Sequence, residues 1–237
     1  MLEKQEKVAG ILGGMGPEAT VDLMRRIIRN TPAEDDIDHI RCIVDNNPKV
    51  PSRIKALIEG TGENPAPAMA DMARRLEAWG ADFLCIACNT AHNYYQDICK
   101  AVDIPVLNMV NLTVDEAMEA DPATGAIGIL ASPAVRITRL YEKALTRRGI
   151  ETVYTDPEVE EALLDIIRRV KKGDTGREVR QALAAVVCNL RGKGVRTAIV
   201  ACTELGVIME GETYEITMVD AAEVLAKAVV RQARANN

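Results

Sequence analysis

Aromatic side chains are scarce in this chain: 3% of its 237 residues, with one Trp and one Phe. That excludes stacking platforms for nucleobases, and it leaves the interior to Ile, Leu, Val, Ala and Met. Histidine is scarce too, with two residues. His39 stands alone, so Cys85-Ile86-Ala87-Cys88 has no second Cys/His pair to complete a zinc site. There is no basic excess. The net charge of −6 gives no footprint for nucleic acid and no basic face for a membrane. No apolar run is long enough to span a bilayer. The charged opening Met1-Leu2-Glu3-Lys4-Gln5-Glu6-Lys7 passes straight into Val8-Ala9-Gly10 without a signal-peptide core. Six cysteines, at 42, 85, 88, 99, 188 and 202, are too sparse for a disulfide framework. The expectation is a reduced, cytoplasmic protein with no metal and no nucleic-acid or membrane partner.

What is present is alternation. Apolar runs predict strands over 8–12, 40–44, 82–87, 104–107, 126–130, 151–154, 196–201 and 213–219. Helical spacing predicts helices over 17–30, 68–79, 113–120, 135–148, 157–172, 177–191 and 221–234, a short one ending near Gly60, and one that follows the turn at Cys88 and runs through Val102. Helix 17–30 has Pro at its first position and Val21, Met24, Ile27 and Ile28 as its apolar stripe. Strands alternating with helices predict an α/β fold with parallel sheets covered on both faces. Two domains are expected, 1–113 with a returning segment 213–237, and 114–212.

The halves rhyme. Gly10-Ile11-Leu12-Gly13 matches Gly128-Ile129-Leu130-Ala131 at an offset of 118. Ala87-Cys88-Asn89-Thr90 and Ala201-Cys202-Thr203-Glu204 each end an apolar strand, at an offset of 114. A duplicated unit with pseudo-two-fold symmetry would point both sheet ends at one interdomain cleft, with Cys88 and Cys202 on opposite walls. In open α/β sheets ligands bind at the carboxyl ends of the strands.

Inverting an amino acid at Cα needs a base on one face and an acid on the other. Cysteine, with an ordinary pKa of about 8.5 that a helix N-terminus lowers, can serve as either. Two facing thiolates repel, so such a pair holds one proton between them. Cys42, Cys85, Cys99 and Cys188 read as packing residues. Gly14-x-Gly16-x-x-Ala19 formally fits a dinucleotide fingerprint, but Pro17 deletes an N–H where phosphate would sit. The turn can still hold a small anion. Arg53 and Lys171 are candidate carboxylate clamps, although residues of their type and position are more often solvated helix residues. His92 is a candidate to polarise Cys88, although a helix-start histidine is more often a plain capping residue.

The motifs Gly10-Ile11-Leu12-Gly13-Gly14-Met15-Gly16-Pro17-Glu18-Ala19-Thr20, Asn46-Asn47-Pro48-Lys49-Val50-Pro51-Ser52-Arg53, Cys88-Asn89-Thr90-Ala91-His92 and Cys202-Thr203-Glu204 run through nearly the whole chain. In their order and spacing the chain resembles the aspartate/glutamate racemase superfamily, in its aspartate racemase branch. The resemblance implies two Rossmann-like, flavodoxin-like domains, an interdomain site, racemisation without pyridoxal phosphate or other cofactor, and a homodimer. It implies catalytic roles for Cys88 and Cys202 and substrate-binding roles for Met15, Arg53, Asn89, Thr90, Ser132, Thr203 and Lys171, with Lys172 adjacent to the last. Relatives often carry a Thr-Thr-Gly-Thr-like turn where this chain reads Ser132-Pro133-Ala134-Val135, which leaves aspartate, glutamate or a wider substrate set open. Other readings of the same scaffold are a decarboxylase or isomerase, a nucleotide-binding module and an amino-acid sensor.

Overall fold

The computed structural model describes residues 6–235. Residues 1–5 and 236–237, which include most of the charged opening segment and the outer ends of the predicted first domain, lie outside the described residues. The chain divides into two compact units, one running to Met109 and resuming at Ala222, the other Val110–Ala221.

The first unit opens with β1 (Ala9–Gly13), whose residues are all buried. Helix α1 (Pro17–Asn30) follows, with Pro at the start, where its missing N–H costs nothing. Its inner face differs from the predicted stripe. Val21, Met24 and Ile28 are 43%, 37% and 54% exposed, while Thr20, Asp22, Leu23, Arg26 and Ile27 face inward. The inward face is partly ionic: Arg26 Nε donates to Asp22 at 2.7 Å and Nη1 to Glu223 at 3.2 Å. That pairing fixes the helix's rotation, and Ile27 alone of the predicted stripe is buried.

Strand β2 (Cys42–Asn46) lies slightly beyond its predicted span because it stays paired with β1 to the Gly13–Asn46 register. A π-helical turn, Lys55–Glu59, ends at Gly60. Helix α2 (Ala66–Ala78) and strand β3 (Phe83–Ile86) come next. A 3-10 turn, Thr90–Tyr94, and the short α3 (Tyr95–Cys99) replace the single helix predicted to reach 102. The predicted strand 104–107 is reduced to one bridge, Val106 to Leu84, because Pro105 has no N–H for a ladder. The sheet is parallel, in the order β2-β1-β3. Leu12, Val50, Met69, Met72, Leu76, Leu84 and Ile86 form its aliphatic core.

The second unit contains α4 (Met109–Ala120), β4 (Ala126–Ala131), α5 (Pro133–Ile137), α6 (Leu140–Thr146), β5 (Glu151–Val153), α7 (Pro157–Lys171), α8 (Arg177–Gly192), β6 (Thr197–Ala201), α9 (Thr203–Met209) and β7 (Thr217–Asp220). The helix predicted over 135–148 is broken at Arg139, which adopts φ 53. The sheet is parallel, in the order β5-β4-β6-β7. Because β7 pairs with β6, the strand read from sequence as part of the first domain belongs to the second unit. Helix α10 (Ala221–Arg234) then completes the first. Leu163, Ile166, Ile167 and Val170 of α7 pack with Leu183, Val186, Val187 and Leu190 of α8.

The two sheets share a register. Gly10 pairs with Leu84 in one, and Gly128 with Ala198 in the other. These pairs differ by 128 − 10 = 118 and 198 − 84 = 114, the two offsets read from the sequence. Cys88 and Cys202 each stand four residues beyond the matched strand positions Leu84 and Ala198. Among the described residues no helix is long and apolar enough to cross a membrane.

Candidate active site

In the first unit the ladder runs one residue past β3, with Ala87 N–H donating to the Leu12 carbonyl at 3.1 Å. The chain then turns sharply, Cys88 N–H donating to Ile86 at 2.8 Å, and enters the 3-10 turn. This leaves the Cys88 sulfur at the carboxyl edge of the sheet. Burial pushes its thiol pKa up; the Arg53 guanidinium and the backbone N–H groups of Ala91 and Thr90 oppose that by stabilising the thiolate.

Arg53 is tied down by the backbone. Its Nη2 donates to the Met15 carbonyl at 3.0 Å and its Nη1 to the Pro51 carbonyl at 3.2 Å. Its Nε is buried with no hydrogen-bond partner. Met15 is held in turn by the glycine turn before it. Gly14 has φ +85, and a Cβ there would lie 2.3 Å from the Asn47 carbonyl oxygen. Gly14 N–H donates to the Thr20 hydroxyl at 2.9 Å. The turn's glycine therefore serves a backbone-on-backbone approach, and its N–H is already engaged rather than presented to a phosphate.

His92 is buried beneath the Cys88 turn. Its Nε2 accepts from Met109 N–H at 3.1 Å, and its Nδ1 lies 2.9 Å from the Cys88 carbonyl. Asn89 is buried at the start of the 3-10 turn, and Thr90 follows it half-buried.

The second unit builds its thiol turn differently. Cys202 caps the N-terminus of α9 and packs into the unit's core. Its thiol donates to Glu204 Oε2 at 3.0 Å, and the Thr203 hydroxyl donates to the same oxygen at 3.3 Å. Lys171 Nζ, at the end of α7, reaches Glu204 Oε1 at 3.6 Å. Burial, then the Glu204 carboxylate, push the Cys202 thiol well up. Helix-start positions were expected to lower both thiols; burial reverses that at each. Ser132 directly follows Ala131, which pairs with Ala201, so it stands beside Cys202 at the sheet edge. Val135, at the position that departs from the relatives' turn, is buried.

Thus Met15, Arg53, Cys88, Asn89 and Thr90 gather at the sheet edge of the first unit, and Ser132, Lys171, Cys202 and Thr203 at that of the second. The role of Glu204 escaped the reading by residue, although its signal was present: an acid two residues past a thiol, in the first turn of a helix. Among the described residues no group of three or more His, Cys, Asp or Glu is placed to hold a metal ion.

Two parallel α/β units of one topology, each ending the same strand at a thiol, define a class of duplicated flavodoxin-like proteins with sheet-end cysteines. Within that class the chain belongs to the Asp/Glu/Hydantoin racemase family, whose profile matches residues 12–229. It is 29% identical over 225 residues to the broad specificity amino-acid racemase RacX of Bacillus subtilis, covering 93% of this chain and 96% of that protein. Among solved structures, the Picrophilus torridus aspartate racemase matches with a TM-score of 0.83 at 33% identity, covering 96% of this chain and 94% of that one. An aspartate racemase homologue from Pyrococcus horikoshii matches with a TM-score of 0.80 at 20% identity, covering 96% and 99%, and shares the fold.

Proposed function

We propose that this protein is a cofactor-independent amino-acid racemase that interconverts L- and D-aspartate by two-base proton transfer at Cα, with Cys88 and Cys202 as the two thiols. The observation that carries the reading is that corresponding strands of two like sheets end, at one register, in two thiols with opposite surroundings. Cys88 is faced by a cation and N–H donors, which favour loss of its proton. Cys202 donates to a carboxylate, which favours keeping it. A two-base inversion starts from such a state: one thiolate to take the α-hydrogen, one thiol to supply a proton from the other side.

In this reading Cys88 is the sulfur poised as the base in the free enzyme. The negative charge that develops on the substrate carboxylate as the α-hydrogen leaves is stabilised by donors at Asn89, Thr90 and Thr203. Arg53, with an unspent buried Nε, offers a charged donor to the substrate side-chain carboxylate. The names of the Bacillus and Picrophilus relatives support aspartate within a wider amino-acid range.

The test is α-hydrogen exchange in D₂O over a panel of amino acids, with no pyridoxal phosphate added and after hydroxylamine treatment. Aspartate is expected to gain deuterium while it racemises. Cys88→Ala and Cys202→Ala are each expected to lower racemisation roughly a thousandfold or more while leaving the circular dichroism spectrum intact. Full racemisation by either single variant sinks the two-thiol mechanism.

A further inference from the structure

We infer that Glu204 is the proton acceptor for Cys202, taking the thiol proton on Oε2 and connecting that sulfur to solvent; the inference rests on the two-thiol reading of the site. The geometry separates the carboxylate's two oxygens by task. Oε2 faces the Cys202 sulfur at 3.0 Å and the Thr203 hydroxyl at 3.3 Å. Oε1 faces the Lys171 ammonium at 3.6 Å. The Glu204 side chain is 24% exposed and that of Lys171 59%, so the chain sulfur–carboxylate–ammonium runs from a buried thiol to water. Among the described residues no carboxylate plays that part at Cys88: its sulfur is served by Arg53 and two N–H groups.

Electrostatics requires the proton to move between these two groups. A buried thiolate 3.0 Å from a carboxylate sets two like charges together, so Cys202 becomes a thiolate only if Glu204 becomes a carboxylic acid. In that step the S–H bond breaks, its electron pair stays on sulfur, and an O–H bond forms on Oε2. The thiolate then takes the substrate α-hydrogen, the C–H pair remaining on carbon, while Glu204 releases its proton to water. When Cys202 instead donates to Cα, its S–H bond breaks, Glu204 takes a proton from water on Oε2, and that proton passes to the sulfur to restore the thiol. The charged groups facing Cys202 are Glu204 on its own turn and Lys171 from α7. Lys171 favours the ionised carboxylate, which keeps the resting proton on sulfur.

Enantiomers have equal energy, so kcat/KM is equal in both directions for any variant and cannot report on one thiol. Single-thiol backgrounds can. In Cys88→Ala, exchange of the aspartate α-hydrogen in D₂O reads Cys202; in Cys202→Ala it reads Cys88. Adding Glu204→Gln is expected to slow the Cys202-supported exchange roughly tenfold more than the Cys88-supported exchange. Formate is expected to restore Cys202-supported exchange in Glu204→Ala. A second measurement needs no substrate: alkylation of each cysteine by iodoacetamide against pH, followed by peptide mass spectrometry. Removing the adjacent negative charge should move the Cys202 profile to lower pH in Glu204→Gln by more than the Cys88 profile. Equal slowing in both backgrounds, or an unmoved Cys202 profile, overturns the assignment. If the intact protein exchanges no amino acid, the racemase reading fails instead, and the alkylation profiles still decide whether Glu204 governs Cys202.

Discussion

At the scale of single residues, His92 holds the first thiol turn with both ring nitrogens. A backbone N–H can only donate, so Nε2, which accepts from Met109, is unprotonated and the ring proton sits on Nδ1, donating to the Cys88 carbonyl. Burial lowers the His92 pKa to about 4, so the ring is neutral at physiological pH. It therefore acts on Cys88 through the backbone and carries no charge that could polarise the sulfur. The pH consequence has a definite sign. Between an unfolded value near 6.5 and a folded value of about 4, the unfolded chain binds more protons. The stability this residue confers is fully present above pH ~6.5 and falls as pH drops toward 4, by at most about 3 kcal/mol. Urea midpoints measured through that window are expected to decline, and His92→Gln should flatten the His92 part of the slope. The same variant should also lose about 1–3 kcal/mol at pH 7 from its misplaced hydrogen bonds. A slope unchanged by the substitution rules this account out.

At the scale of elements, the glycines show which parts of the fold could be read in advance. Gly10 and Gly128 occupy one position in the two repeats, and a Cβ at either would crowd a neighbour, at 2.5 Å from Leu84 Cδ2 and 2.9 Å from Leu190 Cδ1 respectively. That shared crowding explains why the short Gly-Ile-Leu match in the sequence reported a true structural repeat. Gly14→Ala is a harsher change, since it sets a side chain in a left-handed conformation against the Asn47 backbone. We expect it to cost about 2–4 kcal/mol in thermal unfolding. It should also slow substrate exchange, because Met15 next to it anchors Arg53. Strand positions and the thiol turns were legible because an apolar run followed by a polar turn is a local signal. The rotation of α1 was not, because a buried Arg26–Asp22–Glu223 cluster depends on a helix near the far end of the chain. The β7 partnership and the contact of Arg53 with Cys88 are likewise non-local. The Glu204 contact was hidden for a different reason: it depends on the side-chain conformations of near neighbours, which no spacing rule specifies.

At the scale of the whole molecule, the chain route makes the two units unequal. The second is contiguous, with its own sheet and core. The first is interrupted and is completed by α10, in which Leu225, Ala226 and Val229 have 0% exposure. Lys7 N–H donates to the Ala233 carbonyl at 2.9 Å, and Arg234 donates to the carbonyls of Pro32 and Asp38, so the helix also pins the loops around β1 and α1. Ending the chain at Ala221 removes these contacts and deprives Arg26, whose side chain is 7% exposed, of Glu223. Arg26 keeps Asp22 as a partner, so losing Glu223 costs less than the ~3–5 kcal/mol of a charge left wholly unpaired. Each buried Leu or Val lost with the helix adds about 1.5–3 kcal/mol. Against a typical total of about 5–15 kcal/mol, the first unit should not survive this. Limited proteolysis of the truncated chain, with fragments mapped by mass, is expected to leave a protected core within 110–221 and to digest 6–109. Persistence of a protected, cooperatively unfolding first unit would show that β1, β2, β3, α1 and α2 suffice without the returning helix. The intermediate variant Glu223→Gln keeps the helix and removes only the charge. It should destabilise the first unit by less than the truncation, which would separate the ionic contribution from the packing of α10.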